Sequence, residues 1–331
     1  MPELPEVETV ARSVHQRVHG DQILDVWFSS HPQPFRTAPE ELVRGLVGRV
    51  FLSVHRSGKH IVCELGPREP AIGLTPRSRI ENRRVFKGHD LSHAVAGPKS
   101  AAALAPEAVV PSAGPVTESS SEAPDSQLPE AQWIVHLGMT GRLLVANPAT
   151  PIPPHTHARL TLSSGRELRF VDPRRFGRLA YKDLRDTAAF LTSGLEPLTI
   201  GAKPFAALFR GRRLSIKAGL LDQSLLAGVG NIYADESLFH AGIRPRRMAG
   251  RLSSAEFERL RLALRKVLRH AIRLGGSSIS DYVNAAGEPG LFQMEHCVYQ
   301  RTGQPCRRCG TPIRRILIAG RGTHYCPQCQ H

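Results

Sequence analysis

Apolar and polar residues alternate in short runs through the first two thirds of the chain, while helical spacing dominates its start and its last third. Val7, Val10, Val14 and Val18 recur every three or four positions, which predicts one helix over residues 2–18. Short runs bounded by Gly, Pro or Asn predict strands, and their density predicts an antiparallel β-sandwich or barrel. The runs are 23–28, 46–54, 60–65, 133–137, 142–145, 158–162, 167–171 and 178–181.

A helical pattern begins near Pro204 and is clearest over residues 253–274. Ser253 and Glu256 have the spacing of a capping box, and Gly275 is suited to end the helix. One face carries apolar residues at helical spacing, and Arg261, Arg265 and Arg269 follow each other at four-residue spacing on another face. We therefore expect an α+β protein, with its strands first and its helices afterwards.

Residues 66–130 interrupt the strand region. They hold nine of the 26 prolines, are rich in Ala, Ser and Gly, and show no clear period. Such a stretch buries too little apolar surface to offset the entropy of ordering it. We predict a disordered insert that lengthens a hairpin loop and is dispensable for chemistry, because the cost of loop closure grows only with the logarithm of length.

The net charge of +15 indicates the kind of partner that the protein binds. Like charges do not help a fold, so the excess suits a polyanionic partner: nucleic acid first, an anionic membrane surface second. No run of 18 apolar residues predicts a membrane span, and the acidic start is unlike a signal peptide. We therefore expect a cytoplasmic protein that does not associate with membranes.

Four cysteines at the C-terminal end have the spacing of a structural zinc site. Cys306 and Cys309 form one CxxC pair, Cys326 and Cys329 form another, and 16 residues separate the pairs. Four thiolates complete a tetrahedral shell, so the predicted Zn²⁺, one per chain, is structural rather than catalytic.

The residues between the two cysteine pairs predict a basic hairpin, with Arg314, Arg315 and Arg321, whose contact with DNA the spacing leaves open. Cys63 and Cys297 have no partner pattern and are expected to be buried thiols.

The second residue carries a candidate reagent. Methionine before proline is usually removed, which would leave Pro2 with a free secondary amine whose pKa is about 8. A neutral amine can attack a sugar C1′ and form an iminium ion, and a carboxylate at Glu3 or Glu6 can move the protons. The alternative is ordinary: proline and acidic residues are common in the first turn of a helix.

Six ordered segments together resemble the formamidopyrimidine-DNA glycosylases, and the resemblance covers nearly the whole chain except the insert. They are the MPELPEVETV start, RSGKH at 56–60, HLGMTG at 136–141, DPRRFG at 172–177, LAGVGNIYA at 226–234 and RGTHYC at 321–326. The resemblance implies an N-terminal antiparallel β-sandwich flanked by helices, then a helix–two-turn–helix domain and a C-terminal β-hairpin zinc finger. We expect domain boundaries at 1–198, 199–292 and 293–331.

The resemblance also implies roles in base excision from double-stranded DNA. Pro2 would form the Schiff base, Glu3 would assist opening of the sugar ring, Lys59 would act in β-elimination and contact phosphate, and Arg321 would act in δ-elimination and grip phosphate. Met139, Arg174 and Phe176 would fill the space that the everted nucleotide leaves. Phosphate contacts would come from His155, Arg212, Lys217 and Asn231, and the Gly228–Gly230 turn would let backbone N–H groups approach an anion.

Substrate choice rests on the same resemblance. Residues 275–282 and 287–290 are similar to the lesion loop of purine-specific members, which implies 8-oxoguanine and formamidopyrimidines as substrates. Two alternatives stay open: endonuclease VIII, the pyrimidine-specific relative, and a non-enzymatic zinc-ribbon protein that binds nucleic acid. No dimer signal is present, so we expect a monomer, in a bacterial cytoplasm and associated with the nucleoid through DNA.

Overall fold

The computed structural model describes residues 1–31, 34–68, 128–279 and 282–331. The predicted disordered insert therefore lies outside the described residues except at its two ends. At those ends, a strand predicted to stop at Leu65 continues to Arg68, and residues 128–130 lead into the next strand. Ser280 and Asp281 of the predicted lesion loop also lie outside the described residues.

Six α-helices, ten strands and two short 3₁₀-helices, Ala249–Arg251 and Phe292–Glu295, make up the regular structure of the described residues. The helices are α1 Leu4–Val18, α2 Pro39–Leu46, α3 Ala202–Ala207, α4 Ile216–Leu221, α5 Asn231–Ala241 and α6 Ser254–Arg273. The strands are β1 Ile23–Phe28, β2 Arg49–Ser57, β3 His60–Arg68, β4 Ala131–His136, β5 Arg142–Ala146, β6 Thr156–Leu162, β7 Glu167–Val171, β8 Arg178–Asp183, β9 Arg314–Ile318 and β10 Arg321–Tyr325.

Two four-stranded antiparallel sheets form the N-terminal half, in the orders β1-β6-β7-β5 and β2-β3-β4-β8. Their apolar side chains share one core with the apolar stripe of α1. Trp133 and Phe170, one from each sheet, are fully buried in that core. The predicted antiparallel β-sandwich and the α+β class are thus confirmed.

Further details of the N-terminal half differ from the prediction: α1 begins at Leu4 rather than at residue 2, and an unpredicted helix precedes β2. Residues 46–48 are not part of a strand, because Leu46 ends a helix, α2, that the sequence pattern did not predict. Leu42 and Leu46 bury one face of that helix, which packs against β1 and β8. Eight residues form too few turns for a helical period to stand out.

The helical half has a core of its own, to which Leu4 contributes from the N-terminus. The capping box of α6 is confirmed: the Ser253 hydroxyl accepts from the Glu256 N–H, and the Glu256 carboxylate accepts from the Ser253 N–H. Two of the three regularly spaced arginines of this helix, Arg261 and Arg265, donate to the Ile200 carbonyl. They therefore tie α6 to the segment before α3.

The chain ends in the predicted hairpin, in which β9 and β10 pair antiparallel across the turn at Ala319 and Gly320. Of the helices that the structure describes, none is long and apolar enough to cross a membrane.

Candidate active site

The N-terminal residues are held against the turn that precedes α5. The Leu4 N–H donates to the Gly228 carbonyl at 3.0 Å. Pro2 is buried, and it lies before Glu3, the residue that caps α1. The proline of the first helical turn is Pro5, so the ordinary helix-start explanation applies to Pro5 and does not account for Pro2.

Glu3 is 4% exposed, and its carboxylate faces the N-terminus of α5. It accepts backbone hydrogen bonds from Ile232 at 3.1 Å and Tyr233 at 3.4 Å. The first N–H groups of a helix have no partner within the helix and favour an anion. The anion that the glycine turn was expected to approach is therefore, in this structure, the protein's own Glu3.

Burial raises the pKa of Glu3 to about 7, because water that would stabilise the charged form is excluded. The positive charge of Lys59 and the two backbone N–H groups oppose this shift, while Glu6 adds to it. A carboxyl group with a pKa near neutrality can both give and take a proton at physiological pH.

Lys59 lies in the tight turn between β2 and β3, where Gly58 has a φ of +58°. Burial lowers the pKa of Lys59, the negative charge of Glu3 raises it, and the positive charge of Arg321 lowers it again. Because the charges of Glu3 and Arg321 both change the pKa of Lys59, both lie within electrostatic range of its ammonium. The structure thus brings Glu3 and Arg321 within electrostatic range of Lys59, although the three are far apart in sequence.

Glu6 forms a buried hydrogen-bond network that the sequence did not reveal. Its carboxylate accepts from the Tyr233 hydroxyl, the Ser277 N–H at 2.7 Å and the Glu3 N–H at 2.8 Å. Burial raises the pKa of Glu6, and these bonds counter that shift. Because the network joins α1, α5 and the segment at 277, Glu6 fixes the cap of α1 rather than facing solvent.

The three predicted wedge residues lie on two loops that Asp172 joins. Asp172 is fully buried and accepts from the Thr140 hydroxyl at 2.6 Å and the Gly177 N–H at 2.7 Å. The sequence motifs did not reveal a role for Asp172. Its buried carboxylate fixes the two loops relative to each other through these hydrogen bonds.

The wedge side chains themselves project from these loops. Met139 is 40% exposed and Phe176 is 47% exposed, so neither is a core residue. The Arg174 guanidinium stacks over the Phe176 ring, 5.0 Å from its centre.

Arg321 is the first residue of β10 and its side chain is exposed. The Asn231 side-chain amide donates to the Gly322 carbonyl at 2.9 Å, which links the start of α5 to the finger hairpin. His155 and Arg212 are exposed at other places on the surface, and the His155 backbone has a φ of +63°. Both side chains are accessible to solvent, as a contact with phosphate requires.

Lys217 does not fit the expectation of a direct phosphate contact. Its side chain has no exposed surface, and its ammonium pairs with Asp235 at 2.6 Å. The same ammonium donates to the Thr323 hydroxyl at 2.7 Å and to the Gly322 carbonyl at 3.2 Å. All three of its donors are thus occupied by protein atoms, which corrects the expectation for this residue.

The four predicted zinc ligands lie together at the base of the finger, with ligand atoms all within 4.8 Å of one another. Cys306 Sγ and Cys329 Sγ are 3.9 Å apart, and Cys309 Sγ and Cys326 Sγ are 3.5 Å apart. Sulfur atoms bound about 2.3 Å from one Zn²⁺ would lie roughly 3.8 Å apart in a tetrahedron. The residues therefore fit one structural zinc with no open position.

The two other cysteines have different surroundings. Cys63 is fully buried in the sandwich core, as predicted. Cys297 is only partly buried, so the prediction of a buried thiol is wrong for it.

The fold and site define a class: a zinc-finger protein in which Glu3, next to the N-terminal residues, and Arg321, in the finger hairpin, both act electrostatically on Lys59. Family models match three segments: the formamidopyrimidine-DNA glycosylase N-terminal domain at 1–92 and 119–179, the formamidopyrimidine-DNA glycosylase H2TH domain at 194–283, and the zinc finger found in FPG and IleRS at 303–331. The chain belongs to the formamidopyrimidine-DNA glycosylase family.

Individual relatives match this chain along its full length or nearly so. The formamidopyrimidine-DNA glycosylase of Geobacillus kaustophilus is 46% identical over 340 residues, and the match covers 100% of both chains. The solved MutM (Fpg) protein of Thermus thermophilus is 35% identical, with a TM-score of 0.71 over 99% of this chain and 98% of that one. A Lactococcus lactis Fpg mutant in complex with Fapy-dG-containing DNA is 29% identical, with a TM-score of 0.74 and full coverage of both chains.

Proposed function

We propose that the protein is a base-excision repair enzyme that removes oxidised purines from duplex DNA and then cleaves the abasic site. The observation that carries this proposal is the cluster around the N-terminus, in which Glu3 has a pKa of about 7 and Lys59 lies within electrostatic range of it. The family relationship supports the same reaction class, since the relatives are named as DNA glycosylases and one is solved with Fapy-dG-containing DNA.

Chemistry begins once Met1 is removed and the Pro2 nitrogen is a free secondary amine. The neutral amine attacks C1′ of the damaged nucleotide, the bond from C1′ to the base breaks, and the base leaves with its electron pair and takes up the proton that the Pro2 nitrogen loses. Glu3 donates a proton to the sugar ring oxygen as the ring opens, which leaves an iminium ion between Pro2 and C1′. Its pKa of about 7 suits that proton transfer.

Strand cleavage follows from the iminium ion, which withdraws electrons from the sugar. Loss of a proton at C2′ expels the 3′ phosphate in β-elimination, and Lys59 is the residue that we assign to this step. A second proton loss, at C4′, expels the 5′ phosphate in δ-elimination, in which Arg321 neutralises the departing phosphate. Water then releases the sugar fragment and regenerates the Pro2 amine.

Access to C1′ requires the damaged nucleotide to leave the helix. Met139 and Phe176 expose apolar surface on adjoining loops, and Arg174 stacks on Phe176, so this wedge can fill the space that the nucleotide vacates. Arg174 also offers a planar donor fork to the orphaned cytosine. We assign phosphate contacts to His155, Arg212 and Asn231, and we expect a monomer to bind one lesion.

Borohydride trapping tests the mechanism. An imine between protein and abasic DNA is reduced to a stable amine, so the full-length protein should become cross-linked to the DNA. Pro2→Gly, checked by mass spectrometry for Met1 removal, should bind the same DNA and lose most of the excision activity. Full excision by this variant would refute the assignment of Pro2, and a wild type that never cross-links would leave only a DNA-binding role.

Lesion preference is tested with the wild type alone. Excision of 8-oxoguanine opposite cytosine should be faster than excision of thymine glycol in the same duplex. The reverse order would indicate the pyrimidine preference of endonuclease VIII.

A further inference from the structure

A buried ion pair joins the helical domain to the zinc-finger hairpin. Lys217 of α4 and Asp235 of α5 both have 0% exposed side chains, and Nζ lies 2.6 Å from Oδ1. Both residues also bond to β10. Lys217 donates to the Gly322 carbonyl and the Thr323 hydroxyl, and Asp235 Oδ2 accepts from the His324 N–H at 2.8 Å.

The bonded residues are the three that directly follow Arg321. The His324 ring adds a contact of 3.2 Å between Nδ1 and Asp235 Oδ2. Residues along a strand are about 3.3 Å apart, so fixing 322–324 in place also fixes the backbone from which the Arg321 side chain extends. The zinc ligands Cys326 and Cys329 hold the hairpin at its other end, away from Arg321.

Stability alone does not explain such a pair. Removing two charges from water is costly, and apolar replacements of the same volume are often equally stable. The two charged groups instead form hydrogen bonds of defined geometry, and each of them has its own hydrogen-bond partners on β10. Asn231 adds a parallel bond to the Gly322 carbonyl, from the start of α5 next to Glu3.

We propose that Asp235, through Lys217 and His324, is a positioning residue for Arg321, and that it sets how often strand cleavage proceeds from β-elimination to δ-elimination. This inference rests on the proposed function, in which Arg321 acts in the second step. A positioning error of about 1 Å can lower a rate by about 100-fold.

The test follows both cleavage products on a duplex that contains an abasic site. Asp235→Asn keeps the shape of the side chain and removes its charge. We expect the rate of δ-elimination to fall by about tenfold or more, with β-product accumulating. The zinc content and the yield of borohydride cross-link should match those of wild type. Asp25→Asn, at an exposed position on β1, is the matched control and should behave as wild type.

A double-variant cycle separates positioning from general damage. If Asp235 acts through Arg321, then Asp235→Asn should add no further loss in δ-elimination to Arg321→Ala. An additive loss would overturn the inference. Unchanged δ-elimination in Asp235→Asn would also overturn it.

Two further outcomes are distinguishable. If Asp235→Asn does not fold, the apolar pair Lys217→Met with Asp235→Leu keeps the volume without an unpaired charge, and it should fold yet still stop at the β-product. Normal δ-elimination by that pair would overturn the inference. If wild type itself neither cross-links nor cleaves, the proposed function fails, and the inference fails with it.

Discussion

The carboxyl group of Glu3 occupies the space where a side chain on residue 230 would lie, and Gly230 has no side chain to fill it. A Cβ atom on Gly230 would lie 2.2 Å from Cδ of Glu3 and 2.4 Å from Oε1. The backbone of Gly230 is extended, with φ −129° and ψ −162°, so its need for glycine is steric rather than conformational. The residue that caps α5 thereby determines where the acid beside the N-terminus can lie.

Gly230→Ala should therefore displace Glu3 from the α5 N-terminus. We expect single-turnover base excision to fall by about 100-fold, because the acid no longer meets its partners at the correct distance. Gly201→Ala is the matched control, since Gly201 also caps a helix, α3, and an added Cβ would meet only ordinary contacts, the nearest at 3.5 Å. Equal activity of the two variants would show that Glu3 is not needed at its observed position.

Stability should depend on pH through Glu3. Its pKa is about 7 in the folded state against 4.5 for an ordinary glutamate. Between these values the folded protein keeps a proton that the unfolded chain has released, so a rise in pH favours unfolding. Relative to Glu3→Gln, the free energy of unfolding of wild type should fall by about 3 kcal/mol from pH 4.5 to pH 8. Urea unfolding at several pH values measures this.

Glu41→Gln, on the exposed surface of α2, controls for the loss of one negative charge. If wild type and Glu3→Gln keep a constant difference across the range, burial does not perturb Glu3 as described.

Phe176→Ala should impair eversion of the nucleotide without affecting the fold. Phe176 is 47% exposed, so its loss should change the free energy of unfolding by no more than about 0.5 kcal/mol. Excision from duplex DNA should fall by about tenfold or more, because the vacated space stays unfilled. Excision from single-stranded DNA should change much less. Leu191→Ala removes a more exposed apolar side chain elsewhere, at 82% exposure, and should have no such effect.

Zinc removal should lower the rate of δ-elimination while leaving the N-terminal sandwich folded. Structural zinc contributes about 10–16 kcal/mol of binding free energy to folding of small fingers, so the hairpin that carries Arg321 should unfold without it. Cys309→Ser should lower zinc content, DNA affinity and δ-elimination together. Cys297→Ser, at a cysteine outside the four-thiolate site, should retain one zinc per chain; loss of zinc there would contradict the ligand assignment.

The insert can be shortened only to defined limits. Arg49 is 1% exposed, and its guanidinium donates to the Gly66 carbonyl at 2.9 Å and to Glu130 at 3.1 Å. Deletion of 69–127 with a short glycine-rich turn should keep the fold and the excision activity. Deletion of 66–130 would remove both partners and leave the guanidinium with only the Gly45 carbonyl and Asp183, 3.8 Å away. The loss of two hydrogen bonds to a buried charged group should cost about 2 kcal/mol. Thermal unfolding and excision assays of the two deletions make the comparison.

Local patterns predicted the secondary structure well where the period was long enough to detect. The α1 stripe and the α6 capping box were both visible, because each depends on residues a few positions apart. Helix α2 escaped because eight residues show little periodicity, and its face is defined by packing against β1 and β8. A short apolar run cannot by itself distinguish a helix end from a strand start.

Lys217 shows where motif-based inference stops. A lysine in a basic, DNA-binding region is expected to face phosphate, and nothing in the sequence places Asp235 or Thr323 beside it. The structure buries its ammonium among those two side chains, 18 and 106 positions further along the chain. Burial depends on which distant segments meet, so the chemical role of this lysine could not be obtained from its neighbours in sequence.

The sequence by itself determined the strands of the sandwich, the main helix, the four-cysteine zinc site and the family, because hydrophobic period and ligand spacing are local. Only the tertiary structure placed the Glu3 carboxylate on the α5 N-terminus, 229 residues away, and raised its pKa to about 7. Burial and opposing charge decide a pKa, and both arise from segments that meet only when the chain folds.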